Sequence, residues 1–217
     1  SEGSKEQKFL LGGKGANLGE MTKLGLPVPP GFTVSTDACK AYMASGDVIP
    51  AGLMDEVAAS LSALEAAMGK RLGDADDPLL VSVRSGAAFS MPGMMDTVLN
   101  LGMNDASVVG LAKQTGNERF AYDSYRRFVQ MFGKIVLDVS ASSFEEALHD
   151  LMEERKVAVD TALTSEDLKG LVTTFKAIVQ SEAGVDFPDT PQEQLSYAIE
   201  AVFKSWNGRR AKDYRTM

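Results

Sequence analysis

Apolar residues recur at helical spacing through the second half of this chain and only in short runs through the first. Ala121, Tyr125, Phe128, Phe132 and Ile135 lie three or four positions apart, which predicts one buried helix face. Ser143 with Glu146 reads as a capping box ahead of a helix bearing Phe144, Leu148 and Leu151. Thr164 is placed to cap a helix carrying Leu168, Leu171, Phe175 and Ile178. Thr190-Pro191-Gln192-Glu193 combines an N-cap, a proline at the first helical position and a box glutamate. The helix that follows carries Leu195, Ile199, Val202 and Trp206.

The first hundred residues mix shorter signals. A helix starting near Gly15 would carry Leu18, Met21 and Leu24 on one face and stop at Gly25. Leu26 to Gly31 holds three prolines and must be extended or turned, and Phe32-Thr33-Val34 reads as a short strand. Ser35 or Thr36 can cap a helix over 37–45, and a third helix over about 51–69 carries Leu53, Val57, Leu61, Leu64 and Met68. Leu79-Leu80-Val81-Ser82-Val83 suits a buried strand. The expected fold is therefore α+β and helix-rich. An α/β lobe spans 1–104, a helical subdomain 105–205, and over 206–217 the chain starts back toward the first lobe.

Composition narrows the function. The 217 residues are 44% hydrophobic, enough for a sizeable core, and the formal charge is −8. That charge argues against a general nucleic-acid binder, although a phosphate pocket needs only two or three cations. With one cysteine, Cys39, no internal disulfide forms, and a reducing, cytoplasmic location is expected. No run approaches the roughly eighteen apolar residues of a membrane span. The start lacks an apolar signal core, and both ends read as cut from a longer chain.

Three segments could carry chemistry. In Leu11-Gly12-Gly13-Lys14-Gly15, glycines would let backbone amides approach an anion at a helix start, and Lys14 adds a mobile full charge. The segment is neither a Walker A loop nor a dinucleotide fingerprint, and a tight turn with an exposed lysine is the plain alternative. In Val83-Arg84-Ser85-Gly86, an arginine at a strand end is placed to fork onto phosphate oxygens; an ordinary ion pair is the alternative. Ser90-Met91-Pro92-Gly93-Met94-Met95-Asp96-Thr97 joins flexible methionines, a glycine and a hydroxyl in one turn. It could equally be an apolar loop packed on the helices. His149, the only histidine, belongs to a solvated helix face, so neither a zinc site nor a Ser-His-Asp triad is expected. Asp76-Asp77 could bind a metal, but a turn before the strand is the expected role.

Together these segments resemble the pyruvate phosphate dikinase family. The residues that carry the likeness are LLGGKGANLGEM (10–21), LPVPPGFTVST (26–36), DPLLVSVRSGAAFSMPGMMDTVLNLGMND (77–105), NERFAYDSYRRFVQMFG (117–133) and VFKSWNGRRAKDYR (202–215). Phosphoenolpyruvate synthases are similar at the lysine-glycine segment and at Val-Arg-Ser but differ at the SMPGMMDT loop. The resemblance implies the first lobe of an ATP-grasp-like nucleotide-binding domain plus a helical subdomain. It implies an enzyme that interconverts ATP, phosphate and pyruvate with AMP, pyrophosphate and phosphoenolpyruvate. The β-phosphoryl group would pass through a histidine on a separate swivelling domain, which is not His149.

By motif match, Lys14 and Arg84 would bind the ATP phosphates, with Arg84 the catalytic residue. Met91, Gly93, Met94 and Thr97 would belong to the loop that covers the phosphates. Magnesium would be held by residues outside this chain, which itself offers no metal ligands. The second lobe and the phosphohistidine and pyruvate-binding domains would be partners, in a homodimer, with no membrane or nucleic acid involved. The fragment alone is expected to be inactive. Two other readings remain open: a fragment of a phosphoenolpyruvate synthase-like or antibiotic phosphotransferase, and a truncated product acting as an interaction module.

Overall fold

A computed structural model describes residues 3–88, 93 and 95–216. Among them the helices are α1 (Lys8–Lys23), α2 (Thr36–Ala44), α3 (Leu53–Met68), α4 (Ser107–Thr115), α5 (Glu118–Val136), α6 (Ala141–Arg155), α7 (Ser165–Ala183), α8 (Pro191–Trp206) and α9 (Arg209–Thr216). The strands are short. β1 (Arg71–Leu72) pairs parallel with β2 (Pro78–Leu79), and β3 (Val81–Arg84) pairs with β4 (Thr97–Leu101). The fold is α+β and helix-rich, as the patterning predicts.

Compactness divides the chain into two units that are not the three consecutive segments drawn from composition. One unit takes 1–69, 84–97 and 199–217; the other takes 70–83 and 98–198.

The second unit is built on α5. Asn117 caps it, its side-chain oxygen accepting from the Phe120 N–H at 2.9 Å, and its stripe of Ala121, Tyr125, Phe128, Val129 and Phe132 is fully buried. α5 packs against α4, α6 and α7. Gly133 is the point of closest approach, since a Cβ there would lie 2.7 Å from the Phe144 ring. Phe144 stacks edge-on against Phe175 at 5.0 Å between centroids, and Phe187 closes on Phe128 and Phe132 at 5.8 and 5.3 Å. Burying each such ring stabilises the unit by about 1.5–3 kcal/mol.

α7 starts as expected. Thr164 and Asp167 form a reciprocal box, and Gly184 ends the helix with φ +70°. α6 does not. Its N-cap is Ser140, and Ser143 instead donates to the Glu182 carboxylate on α7. A long-range acceptor has taken the hydroxyl that the local pattern assigned to capping.

In the first unit, α1 departs from the expected helix in two ways. It begins earlier, at Lys8, and it is broken at Gly12, whose φ of 68° and ψ of 163° are not helical. Leu18, Met21 and Leu24, expected on a packed face, are 47%, 40% and 71% exposed. The helix packs through its small residues instead. Ala16 is buried, a Cβ on Gly15 would meet the Thr33 side chain at 2.9 Å, and a Cβ on Gly19 would meet the Gly3 backbone at 2.8 Å. A helix that seats neighbouring backbone against its glycine stripe turns its bulky side chains the other way.

Ser35 is the cap of α2, accepting from the Ala38 N–H at 3.3 Å, while Thr36 donates to the Phe9 carbonyl at 2.5 Å. Leu53, Val57 and Leu61 of α3 are buried, whereas Met68 is 40% exposed. Tyr42 is fully buried, its ring 5.4 Å from that of Phe203 and its hydroxyl donating to Glu200 at 3.2 Å.

Two strand expectations fail. Phe32-Thr33-Val34 is irregular rather than a strand. The predicted strand over 79–83 is split between β2 and β3, and Val81 and Val83 are only half-buried. Among the described residues β3 pairs with a single neighbour, β4, so its apolar run does not lie in the middle of a covered sheet. The Asp76-Asp77 pair forms a turn: both N–H groups donate to the Asp74 carboxylate, at 2.8 and 2.9 Å, and those two bonds, the Asp77 one first, hold the Asp74 carboxyl below its ordinary range.

Candidate phosphate-binding site

The break at Gly12 brings two distant motifs into backbone contact. Gly12 adopts the φ/ψ region that is essentially restricted to glycine. A Cβ there would also lie 2.8 Å from the carbonyl carbon of Gly86. Next to this contact, the Gly13 N–H donates to the Ala87 carbonyl at 2.7 Å. One residue on, the Lys14 ammonium donates to the Ser85 carbonyl at 2.9 Å. Gly12-Gly13-Lys14 and Ser85-Gly86-Ala87 therefore clasp each other through three successive positions.

The clasp ties Lys14 to the residue that follows Arg84: its ammonium donates to the carbonyl of Ser85, which is buried at 7% exposure. Both cationic side chains are exposed. Lys14 uses one of its three donors on Ser85. Among the described residues no ion pair or hydrogen bond engages the Arg84 guanidinium, so the ordinary ion pair that would make it structural is not formed there. Two exposed cations without carboxylate partners among the described residues are the kind of groups a phosphate site requires, in a chain of net charge −8.

The third predicted segment is tied elsewhere. Gly93 has φ +71° and its carbonyl accepts from Arg210 on α9; Thr97 is half-buried at the start of β4. Met91 and Met94 lie outside the described residues. The structure thus brings Lys14 to the Arg84–Ala87 segment and ties Gly93 to α9. Sequence reasoning picked out Lys14 and Arg84 but not the Gly12–Gly86 contact or Arg210. The signal for both was present, in the paired glycines and in the basic run at 209–215.

His149 is exposed on α6, its Nε2 3.2 Å from the Glu153 carboxylate four residues on, an ordinary solvated pair. The donor set near Lys14 and Arg84 does not fit magnesium. It offers cations and carbonyls, and Asp96, the carboxylate in the third segment, is paired with Arg210 at 3.1 Å. Among the described residues no three His, Cys, Asp or Glu side chains come together as a metal site would require.

Comparison with known proteins decides the family. The model of the pyruvate phosphate dikinase AMP/ATP-binding domain matches residues 8–53 and 48–217. The chain belongs to the pyruvate phosphate dikinase family. It is 56% identical, over all 217 residues, to pyruvate, phosphate dikinase 1, chloroplastic, of Zea mays, covering 23% of that protein. It is 53% identical to pyruvate, phosphate dikinase of Clostridium symbiosum, covering 25% of it. A chloroplastic dikinase of Arabidopsis thaliana is 54% identical, with 22% covered. The chain thus spans about a quarter of the length of these dikinases. Among the described residues no helix is long and apolar enough to cross a membrane.

Proposed function

We propose that this chain supplies the phosphate-binding cations of the ATP site of a pyruvate phosphate dikinase. The full-length enzyme would convert ATP, phosphate and pyruvate into AMP, pyrophosphate and phosphoenolpyruvate. The observation that carries the reading is the clasp, which sets the Lys14 ammonium on the carbonyl of Ser85, the residue after Arg84. Phosphoryl transfer asks little covalent chemistry of a protein; it asks for cations and amides held on the phosphate oxygens. Lys14 would hold one phosphate as a point charge, and Arg84, the catalytic residue, would hold another with its planar fork. Gly93 and Thr97, with Met91 and Met94 in the same loop, would cover the phosphates.

No residue of this chain is assigned the phosphohistidine role. That histidine, the pyruvate site and the magnesium ligands would belong to other parts of a homodimeric enzyme. The single cysteine supports a reducing location such as the cytoplasm.

Calorimetric titration with Mg-ATP, AMP and pyrophosphate tests the reading. Pyrophosphate is expected to bind at least as well as ATP, with binding lost in Lys14→Ala and in Arg84→Ala. Pyrophosphate binding that survives both substitutions would remove these residues from the site. In the full-length enzyme, Arg84→Ala is expected to abolish phosphoryl transfer.

A further inference from the structure

The basic helix α9 carries Arg209, Arg210, Lys212 and Arg215, and its three arginines behave differently. Arg215 lies 4.3 Å over the Trp206 ring and donates to the Trp206 carbonyl at 2.7 Å, closing the joint with α8. Arg209 is 95% exposed and, among the described residues, reaches only Asp213, at 3.7 Å, within its own helix. Arg210 reaches back across more than a hundred residues. Its Nη1 donates to the Gly93 carbonyl at 3.3 Å and its Nη2 to the Asp96 carboxylate at 3.1 Å.

That pairing holds both Gly93 and Asp96. Gly93 has φ +71°, and among the described residues nothing comes within 4 Å of the place a Cβ on it would take. Asp96 directly precedes Thr97, the first residue of β4. The arginine's own base is firm, since its neighbour Ala211 is fully buried. A planar guanidinium reaches a carbonyl and a carboxylate from two nitrogens held in one rigid plane, whereas a lysine must direct both bonds from a single nitrogen.

We propose that Arg210 is a positioning residue for the nucleotide phosphates: from α9 it holds Gly93 and Asp96, and through them it sets the Gly93 backbone and the Thr97 hydroxyl. The inference rests on the reading that these two groups serve the phosphates. Arg210 acts through these two residues and touches no reacting atom. Asp96 is its partner in the same device, so the two side chains form one functional unit. Without that hold, nucleotide binding itself would have to set the Gly93 backbone and the Thr97 hydroxyl, and would be weaker for it.

The test uses the full-length enzyme and steady-state kinetics with ATP and pyruvate varied separately. Arg210→Gln is expected to raise KM for ATP about fivefold, the scale of one partly exposed charged contact, and to leave KM for pyruvate unchanged. Arg210→Lys is expected to recover less than half of the loss. Asp96→Asn is expected to raise KM for ATP in the wild-type background and to add nothing in Arg210→Gln, because that hold is already lost. This non-additivity is what a general loss of stability would not produce. Should Arg210→Gln fold poorly, Asp96→Asn alone still reports through its KM for ATP.

Additive effects of the two substitutions would overturn the proposal, as would a fall in kcat with KM for ATP unaltered. An unchanged KM for ATP in both Arg210→Gln and Asp96→Asn would do the same. Lys14→Ala and Arg84→Ala serve as separate controls. If they leave KM for ATP unchanged, the phosphate reading fails on its own account, whatever Arg210 does.

Discussion

Gly12 and Gly86 meet backbone to backbone, so closely that a Cβ on Gly12 would lie 2.8 Å from the Gly86 carbonyl carbon. The relationship is not symmetrical. A Cβ on Gly86 would find its nearest neighbour, the Leu11 carbonyl, at 3.7 Å, an ordinary contact.

The asymmetry predicts opposite outcomes for the same substitution. Gly12→Ala adds a clash with backbone to a φ of 68° that alanine rarely adopts, and should destabilise the protein by about 2–4 kcal/mol. It should also weaken pyrophosphate binding, because Lys14 reaches Ser85 only while the clasp is closed. Gly86→Ala should cost less than about 1 kcal/mol. Urea unfolding of the two variants measures the difference. Equal destabilisation would mean that the close approach at Gly12 is relaxed in solution.

Gln194 is the polar centre of the second unit. Fully buried, it accepts from the Gly102 N–H at 3.0 Å and donates to the carbonyls of Met103 and Pro188 at 2.9 and 3.0 Å. Gln194→Leu keeps the bulk but leaves all three backbone groups without a partner, and should cost about 3 kcal/mol or more. Gln194→Glu keeps the acceptor and, when ionised, loses both donations. Burial favours its neutral form, so this variant should gain stability relative to wild type as pH falls from 7 toward 4. A deficit independent of pH would show that the introduced carboxyl reaches water.

The start of α7 carries a pH-dependent contribution. The Arg155 guanidinium, at 2.5 Å, and then the Thr164 hydroxyl and N–H hold the Asp167 carboxyl at about 2, below its ordinary 3.8. A depressed carboxyl stabilises the fold above its unfolded value and loses that contribution as pH falls through the folded one. Asp167→Asn should therefore cost about 1 kcal/mol near neutral pH, the scale of a helix cap. Below pH about 4 the difference should shrink, and it should vanish only below pH about 2, once the folded carboxyl is protonated. Unfolding curves of both proteins across that range give the answer; a constant gap would place the effect in the cap geometry rather than the charge.

Helices of the second half were legible because their signals are local. Thr164 and Thr190 each accept from an N–H three residues on, and the stripe Ala121-Tyr125-Phe128-Phe132 needs only a period of 3.6 to declare itself. Lys14 and Arg84 were legible as charges among glycines, as was their likeness to a family. What each side chain does with a distant partner was not. Ser143 fitted a capping box and instead bonds Glu182, and Leu18, Met21 and Leu24 fitted a core face and instead face outward.

The sequence by itself determined most of the helical segments, where α2, α3, α7 and α8 start, and which two cations are candidates for phosphate. Each of those rests on residues within one or two turns of each other. Only the tertiary structure decided that Lys14 and Ser85, 71 positions apart, share a hydrogen bond, and that Arg210 holds Gly93. Such pairings depend on how closely two backbones approach, and that distance is set by the folded chain around them rather than by any pattern along it.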